Sequence, residues 1–286
     1  MGKIEQNSLR ARIRSYEDVN NTRLLSGMPV VVRVDGKAFH TFTRGFNKPY
    51  DEIVSSCMQT AMLKLCEESQ NCIMGYTQSD EITIILCDYL YDNGTPWFKN
   101  RTQKITATTA STATIEFYKQ LIREITAYEN QLDNLRNKRL ESHTLPLNTD
   151  EEIKYLKTLY DAQDRKIRFD SRAFNIPAEE IANVFIDRQI DAERNSIQML
   201  AQSVLGKKNI TGISNSKLQN KMFEEHGINW NDVKTKFKRG SCCVRIPVEV
   251  KPGVIRQRWI IENEIPIFTK NRDYILDRFK KLEGSK

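Results

Sequence analysis

Histidine is scarce in this chain, with three residues (40, 143 and 226), and the six cysteines (57, 66, 72, 87, 242 and 243) include no C-x-x-C pair. A structural zinc site calls for about four nitrogen or sulfur ligands at close spacing, which this pattern does not offer. The thiols read instead as small buried hydrophobes of a protein in a reducing compartment. No apolar run approaches the roughly 18 residues that a membrane-spanning helix needs. The opening segment Met1-Gly2-Lys3-Ile4-Glu5-Gln6-Asn7-Ser8 lacks the apolar stretch of a signal peptide, so a cytoplasmic protein is expected. Internal repeats and low-complexity segments are missing as well.

What is present describes a globular chain. Its 286 residues are enough for one large or two modest domains, with 39% hydrophobic and 28% charged residues. The net charge of +7 is unevenly spread. Between Lys207 and Arg258 twelve lysines and arginines face four acids, a surplus of +8, so the remainder is slightly acidic. Clustered positive charge suits a polyanion, and a solvated basic face without a partner is the rival reading.

Apolar periodicity gives the order of elements. Residues 8–24 read as a helix carrying Arg10, Arg12 and Arg14, and 29–34 as a strand. In residues 50–68, Ile53, Val54, Cys57, Met58, Ala61, Met62 and Leu65 form one helical face. Strands at 72–76 and 82–88 flank a hairpin connection, Thr77-Gln78-Ser79-Asp80-Glu81. This β-α-β-β order is half of a ferredoxin-like palm, an α+β antiparallel sheet with helices on one face. From Ile105 a long helix carries Tyr118, Leu121, Ile125, Tyr128, Leu132 and Leu135 at coiled-coil spacing. A break follows at residues 142–148, and then Thr149 and Glu152 form a capping box. The return helix is expected to face back with Ile153, Leu156, Tyr160 and Gln163. Residues 167–174 read as a strand, 178–205 as helix, and 241–247 with 254–262 as a hairpin turning at Lys251-Pro252-Gly253. The expected divisions are a first part of the core (1–117), an inserted helical hairpin (118–166), the remaining core with a basic region (167–247), and a terminal strand and helix (248–286).

Two acidic clusters carry the chemistry. Asp35-Gly36 closes the apolar run Val30 to Val34, and Ser79-Asp80-Glu81 opens Ile82 to Leu86. Carboxylates are costly inside a sheet, so acids at strand ends mark a rim. Two such rims side by side would hold magnesium against nucleotide phosphates. A carboxylate followed by glycine lets a backbone carbonyl approach a cation, and the amides beyond it can form an anion nest. Alone, Asp-Gly is usually only a turn. Arg33, Lys48 and Lys104 are the basic complement that phosphates require, with Ser111 two turns beyond Lys104. For Arg33 a structural ion pair is an equal rival, and for each lysine an ordinary surface position.

The blocks Arg33-Val34-Asp35-Gly36-Lys37-Ala38-Phe39-His40, Lys48-Pro49-Tyr50-Asp51 and Tyr76-Thr77-Gln78-Ser79-Asp80-Glu81 resemble the core of the tRNA-histidine guanylyltransferase family. Further blocks agree in the same order: Phe169-Asp170-Ser171-Arg172, then Arg188-Gln189 with Asp191 and Asn195. Gly212 to Lys217, Gly227-Ile228-Asn229-Trp230 and Lys238-Arg239-Gly240-Ser241 complete the series.

The resemblance implies a polymerase-like palm that adds nucleotides to the 5′ end of tRNA in the 3′→5′ direction. It implies two magnesium ions (Mg2+) on Asp35, the Gly36 carbonyl and Asp80, with Glu81 in support. ATP or GTP would activate a 5′-monophosphate. Arg33, Lys37, Ala38, Phe39, His40, Lys48, Asp51, Ser79, Lys104 and Ser111 would hold nucleotides, Phe39 and His40 beside the activating one. Arg188, Asn195, Lys207, Lys208 and Lys217 would contact RNA, and a homo-oligomer, tetramer or dimer, is expected. Where eukaryotic members carry His-Ile-Asn-Asn, this chain has Glu193-Arg194-Asn195-Ser196. That departure resembles the bacterial, archaeal and phage branch, which repairs truncated tRNA ends on a template. The competing readings are a nucleotidyl cyclase on the same palm, which has no polyanion to hold, and a catalytically silent RNA-binding protein, which needs no paired carboxylates.

Overall fold

The computed structural model describes residues 3–91, 94–143, 145–251 and 253–280; Thr144 and Pro252, read as turn residues, and the last six residues lie outside them. After helix α1 (Lys3–Asp18), exposed over residues 8–18, the chain enters β1 (Val30–Gly36) and a short helix α2 (Phe39–Phe42). Helix α3 (Glu52–Glu68) then leads to β2 (Cys72–Gln78) and β3 (Glu81–Leu86). Helix α4 (Thr102–Glu141) and α5 (Asp150–Gln163) precede β4 (Phe169–Asn175). Helices α6 (Ile181–Leu205), α7 (Asn215–His226) and α8 (Thr235–Arg239) follow, then β5 (Ser241–Lys251), β6 (Val254–Glu262) and a short α9 (Asp273–Leu276).

The sheet order is β4-β1-β3-β2-β5-β6, and every neighbouring pair is antiparallel. Its first four strands have the ferredoxin-like arrangement expected, and the β5–β6 hairpin extends it beyond β2. Val30, Val32 and Val34 pack toward α3 and α4, with Ile82 and Ile84 beside them. Alternation sends Val31, Ile85, Met74 and Tyr76 to the other face, where Ile181, Ala182 and Phe185 of α6 cover them with Phe268 and Ile275. Helices therefore lie on both faces of the palm rather than one. The apolar run of β1, buried on both sides, requires it. The expected boundary at 248 falls within β5, which runs unbroken from the sheet into the exposed hairpin.

Helix α3 forms on the predicted face, burying Ile53, Cys57, Met58, Ala61, Met62, Leu65 and Cys66. Asp51 caps it, accepting hydrogen bonds from the amides of Ile53 (2.9 Å) and Val54 (3.1 Å). Helix α4 turns Ile105, Thr109, Ala113 and Phe117 inward. Phe117 meets Phe39, Phe42 and Phe169, with ring centroids 5.4, 5.5 and 5.8 Å apart. The capping box of α5 is present, and the Arg139 guanidinium grips both Glu152 oxygens at 2.8 and 2.9 Å. On α4 the predicted seam holds at Leu121, Ile125 and Leu132, which are buried, but Tyr118 is exposed, and on α5 so are Ile153 and Tyr160. Phe117 fixes the rotation of α4 against the palm, so α5 answers with Thr158, Leu159 and Ala162.

Candidate active site

Residues 35–36 and 79–81 meet at one end of the sheet. Asp35 stands opposite Glu81 on one neighbour and Asp170 on the other. The Gly36 amide donates to the Asp80 carbonyl at 2.9 Å, which ties the end of β1 to the β2–β3 turn. In that two-residue turn Ser79 takes φ 50°, a left-handed conformation usually left to glycine. Gly36 has its own steric reason: a Cβ there would lie 2.3 Å from the Phe39 ring.

A cavity of about 520 Å³ opens beside this junction, large enough for a nucleotide. Gly36, Ala38, Phe39, His40, Lys48, Asp51, Ser79, Asp80 and Asn195 line it, so nine predicted residues from four separate blocks converge. Tyr50, Gln59, Thr77, Lys236, Phe237 and Ser241 line it too. Sequence reasoning passed over these six. Tyr50, Thr77 and Ser241 sit inside the motif blocks, so position alone could have flagged them; Gln59, Lys236 and Phe237 arrive from α3 and α8. One wall is an aromatic stack, Tyr50 on Phe237 at 5.0 Å and 7° between planes. The Tyr50 hydroxyl is fixed by Ser196, 2.7 Å from its Oγ and 2.8 Å from its carbonyl oxygen.

The electrostatics favour a cation at the acids. Burial raises the Asp35 carboxyl above its usual range, and the charges of Asp80, Asp170 and Glu81 push it further; Arg172 opposes them. Burial likewise raises Asp80, against a hydrogen bond from Ser79. Two desolvated carboxylates that repel one another, beside a glycine backbone, are the hard-oxygen donors that magnesium takes. Among the described residues no group of three or more His, Cys, Asp or Glu is arranged to hold a metal ion. The fit is therefore one of donor chemistry and electrostatics.

Asp35 does not itself line the cavity, and several other predicted residues are committed to the protein or lie elsewhere. Arg33 lies 3.7 Å from Glu81, the ion pair that was its rival reading. Glu81 also receives Arg188 at 3.2 Å, and Arg188 in turn meets Asp187 and Asp191. Both arginines are thus held by carboxylates. Phe39 is a core ring with 6% exposure that shows the cavity little more than an edge. Asp51 spends both oxygens on the protein, with Asn47 N–H at 3.0 Å and the Tyr155 hydroxyl at 2.7 Å besides the helix cap. Lys37 is exposed outside the cavity. Lys104 and Ser111, seven residues apart, share the α4 face opposite its buried stripe and do not line the cavity. Lys207, Lys208 and Lys217 are exposed on the turn after α6 and on α7, also outside it. Much of the remaining basic window is internally neutralised. Glu52 binds Lys234 and Lys236, Glu193 binds Arg239, and Lys238 donates to the Asn231 carbonyl.

A ferredoxin-like palm with acids beside a nucleotide-sized cavity is shared by nucleotidyltransferases and nucleotidyl cyclases, and likeness to known proteins places this chain with the nucleotidyltransferases. It belongs to the family described as tRNAHis guanylyltransferase (Thg1), whose profile matches residues 10–177. It is similar to a bacterial tRNA(His) guanylyltransferase (Thg1)-like protein solved in complex with ATP, at 32% identity and a TM-score of 0.72, covering 94% of this chain and 97% of that one. The GTP complex of a bacterial protein of the same description aligns at 30% identity and a TM-score of 0.73, over 96% of this chain and 99% of that one. The probable tRNA(His) guanylyltransferase of Dictyostelium discoideum is 24% identical over 85% of this chain and 84% of its own length. No described helix is long and apolar enough to cross a membrane.

Proposed function

We propose that this enzyme adds nucleotides to the 5′ end of tRNA in the 3′→5′ direction, after ATP or GTP activates the 5′-phosphate. The observation that carries the reading is the convergence of Gly36, Ser79 and Asp80 on the cavity, with the Asp35 carboxyl near enough to Asp80 for their charges to interact. The likeness to bacterial proteins solved with ATP and with GTP supports nucleotides as its occupants. Asp35, Asp80 and the Gly36 carbonyl would hold two magnesium ions, which when bound supply charge neutralisation on phosphate and a more acidic 3′-hydroxyl. Glu81 keeps Arg33 and Arg188 at the rim, so the acids face a phosphate with cations behind them. His40 of α2 and Lys48 of the loop after it reach the cavity and would orient the triphosphate.

Glu193 favours templated repair over single guanylate addition. Its carboxylate accepts from Arg239 Nε at 2.8 Å, where a histidine could not form that ion pair. Lys207, Lys208 and Lys217 would contact RNA phosphates outside the cavity. The exposed Ile153 and Tyr160 of the helical hairpin suit a homo-oligomer, and six free, buried cysteines suit the cytoplasm. The test uses 5′-labelled tRNA lacking its first nucleotide, with magnesium and each nucleoside triphosphate in turn. Extension that obeys the opposite strand is expected. A single guanylate on intact tRNA-His alone would point to the specialised enzyme, and no addition to either RNA would refute the reading.

A further inference from the structure

Lys236 is a cation inside the cavity that none of the machinery above employs. Its side chain is 15% exposed, and its ammonium reaches the Glu52 carboxylate in the first turn of α3. Lys234 binds the other oxygen of Glu52 at 2.6 Å. The Lys236 amine also lies 5.0 Å from the centroid of the Phe237 ring, which is stacked on Tyr50. The ammonium is thereby held between the Glu52 carboxylate and a fixed aromatic wall, on a side chain that lines the cavity.

We propose that Lys236 is a phosphate ligand of this cavity, held by Glu52 until a phosphate group displaces the carboxylate. The proposal rests on the reading of the cavity as a site for a nucleotide or an RNA 5′ end. Three features make the exchange favourable. Glu52 divides one negative charge between two lysines, whereas a phosphate monoester brings about 1.5 to 2 charges and three acceptor oxygens. The Glu52 side chain is 53% exposed, so water solvates it on release. Lys234 stays beside it, so no buried charge is left unpaired. The two lysines differ in one respect that decides between them: Lys234 is 69% exposed and absent from the cavity wall. The phosphate has two sources, the triphosphate of a bound nucleotide and the 5′-phosphate of the RNA.

Equilibrium binding to the full chain separates them. GTP, 5′-phosphorylated tRNA lacking its first nucleotide, and the same RNA with a 5′-hydroxyl are titrated into wild type, Lys236→Ala, Glu52→Gln, Lys234→Ala and the double variant Lys236→Ala/Glu52→Gln. Lys236→Ala should weaken binding about tenfold for one phosphate source, the size of one charge-assisted hydrogen bond. If that source is GTP, neither RNA responds. If it is the RNA, only the 5′-phosphorylated form responds. Glu52→Gln should tighten the same binding two- to fivefold, and the gain should vanish in the double variant. Lys234→Ala should lack the tenfold loss. A merely structural pair predicts the opposite sign for Glu52→Gln, so weaker binding there overturns the proposal. It also falls if Lys236→Ala, with an unchanged melting temperature, binds all three ligands within twofold of wild type. Failure of wild type to bind GTP or RNA would instead remove the nucleotide reading itself.

Discussion

Asp51→Ala should damage the fold before it damages nucleotide binding. Asp51 is 8% exposed, and its two oxygens accept four hydrogen bonds: Ile53 and Val54 at the start of α3, Asn47 of the preceding loop, and Tyr155 from the helical hairpin. Loss of the cap costs about 1 kcal/mol, and stranding a largely buried donor adds about 1–3 kcal/mol. The expected destabilisation is about 2–4 kcal/mol, a fall in melting temperature of about 3–7 °C for a chain of this length. Asp51→Asn should lose about half of that, because its remaining oxygen can still cap the helix while its amide nitrogen cannot accept from Tyr155. Calorimetry gives the melting temperature, and nucleotide titration well below it gives the affinity of the folded protein. If Asp51→Ala melts with wild type yet binds nucleotide more than tenfold weaker, Asp51 is a ligand and the structural assignment is wrong.

Phe117→Ala should cost about 3–5 kcal/mol, since its ring is fully buried among Phe39, Phe42 and Phe169; an unshifted denaturation midpoint would contradict that packing. Neutralising Lys207 and Lys208 to glutamine should flatten the log–log salt dependence of tRNA binding by about 1.4 to 1.8, and an unaltered slope would take them out of the interface. The Glu52 carboxyl, which burial raises, is held below its ordinary 4.5 by Lys234 and Lys236. A depressed acid stabilises above its unfolded value and loses that contribution as pH falls through the folded one. The stability gap between wild type and Glu52→Gln should therefore shrink as pH drops below about 4.5; a gap constant down to pH 3 would deny the pairing its role.

The palm was legible because its strands announce themselves twice. The apolar runs of β1 and β3 are short, β-branched and bounded by acids, and each acid marks a sheet end. The blocks that meet at the cavity were legible for the same reason: Gly36 ends a strand, Asp80 lies in a strand-to-strand turn, and His40 and Lys48 lie in the short helix and loop that follow β1. Rotation about a helix axis was not legible. Lys104 and Ser111 lie on a helix whose inward face begins with Ile105, Thr109, Ala113 and Phe117, residues that a seam read from Tyr118 onward passes over. The destination of charge was hidden as well. Twelve cations in one window look like an RNA surface, yet the acids that neutralise Lys234, Lys236 and Arg239 come from α3 and α6, beyond any local pattern.

The seam at Gly240 has a consequence for how this chain tolerates change. Its φ is 81°, a Cβ there would lie 2.4 Å from the Thr77 carbonyl, and the Tyr76 hydroxyl donates to the Arg239 carbonyl next door. The strand that leads to Asp80 and the segment that brings in α8 are thus in direct backbone contact, with no side chain between them to act as a spacer. Length cannot be added or removed there without displacing the turn that holds Asp80. Residues 145–146 at the tip of the helical hairpin, exposed and not lining the cavity, bear no such restriction. Inserted tags, labels or extra turns belong at residues 145–146; at Gly240 even one methyl group is too many.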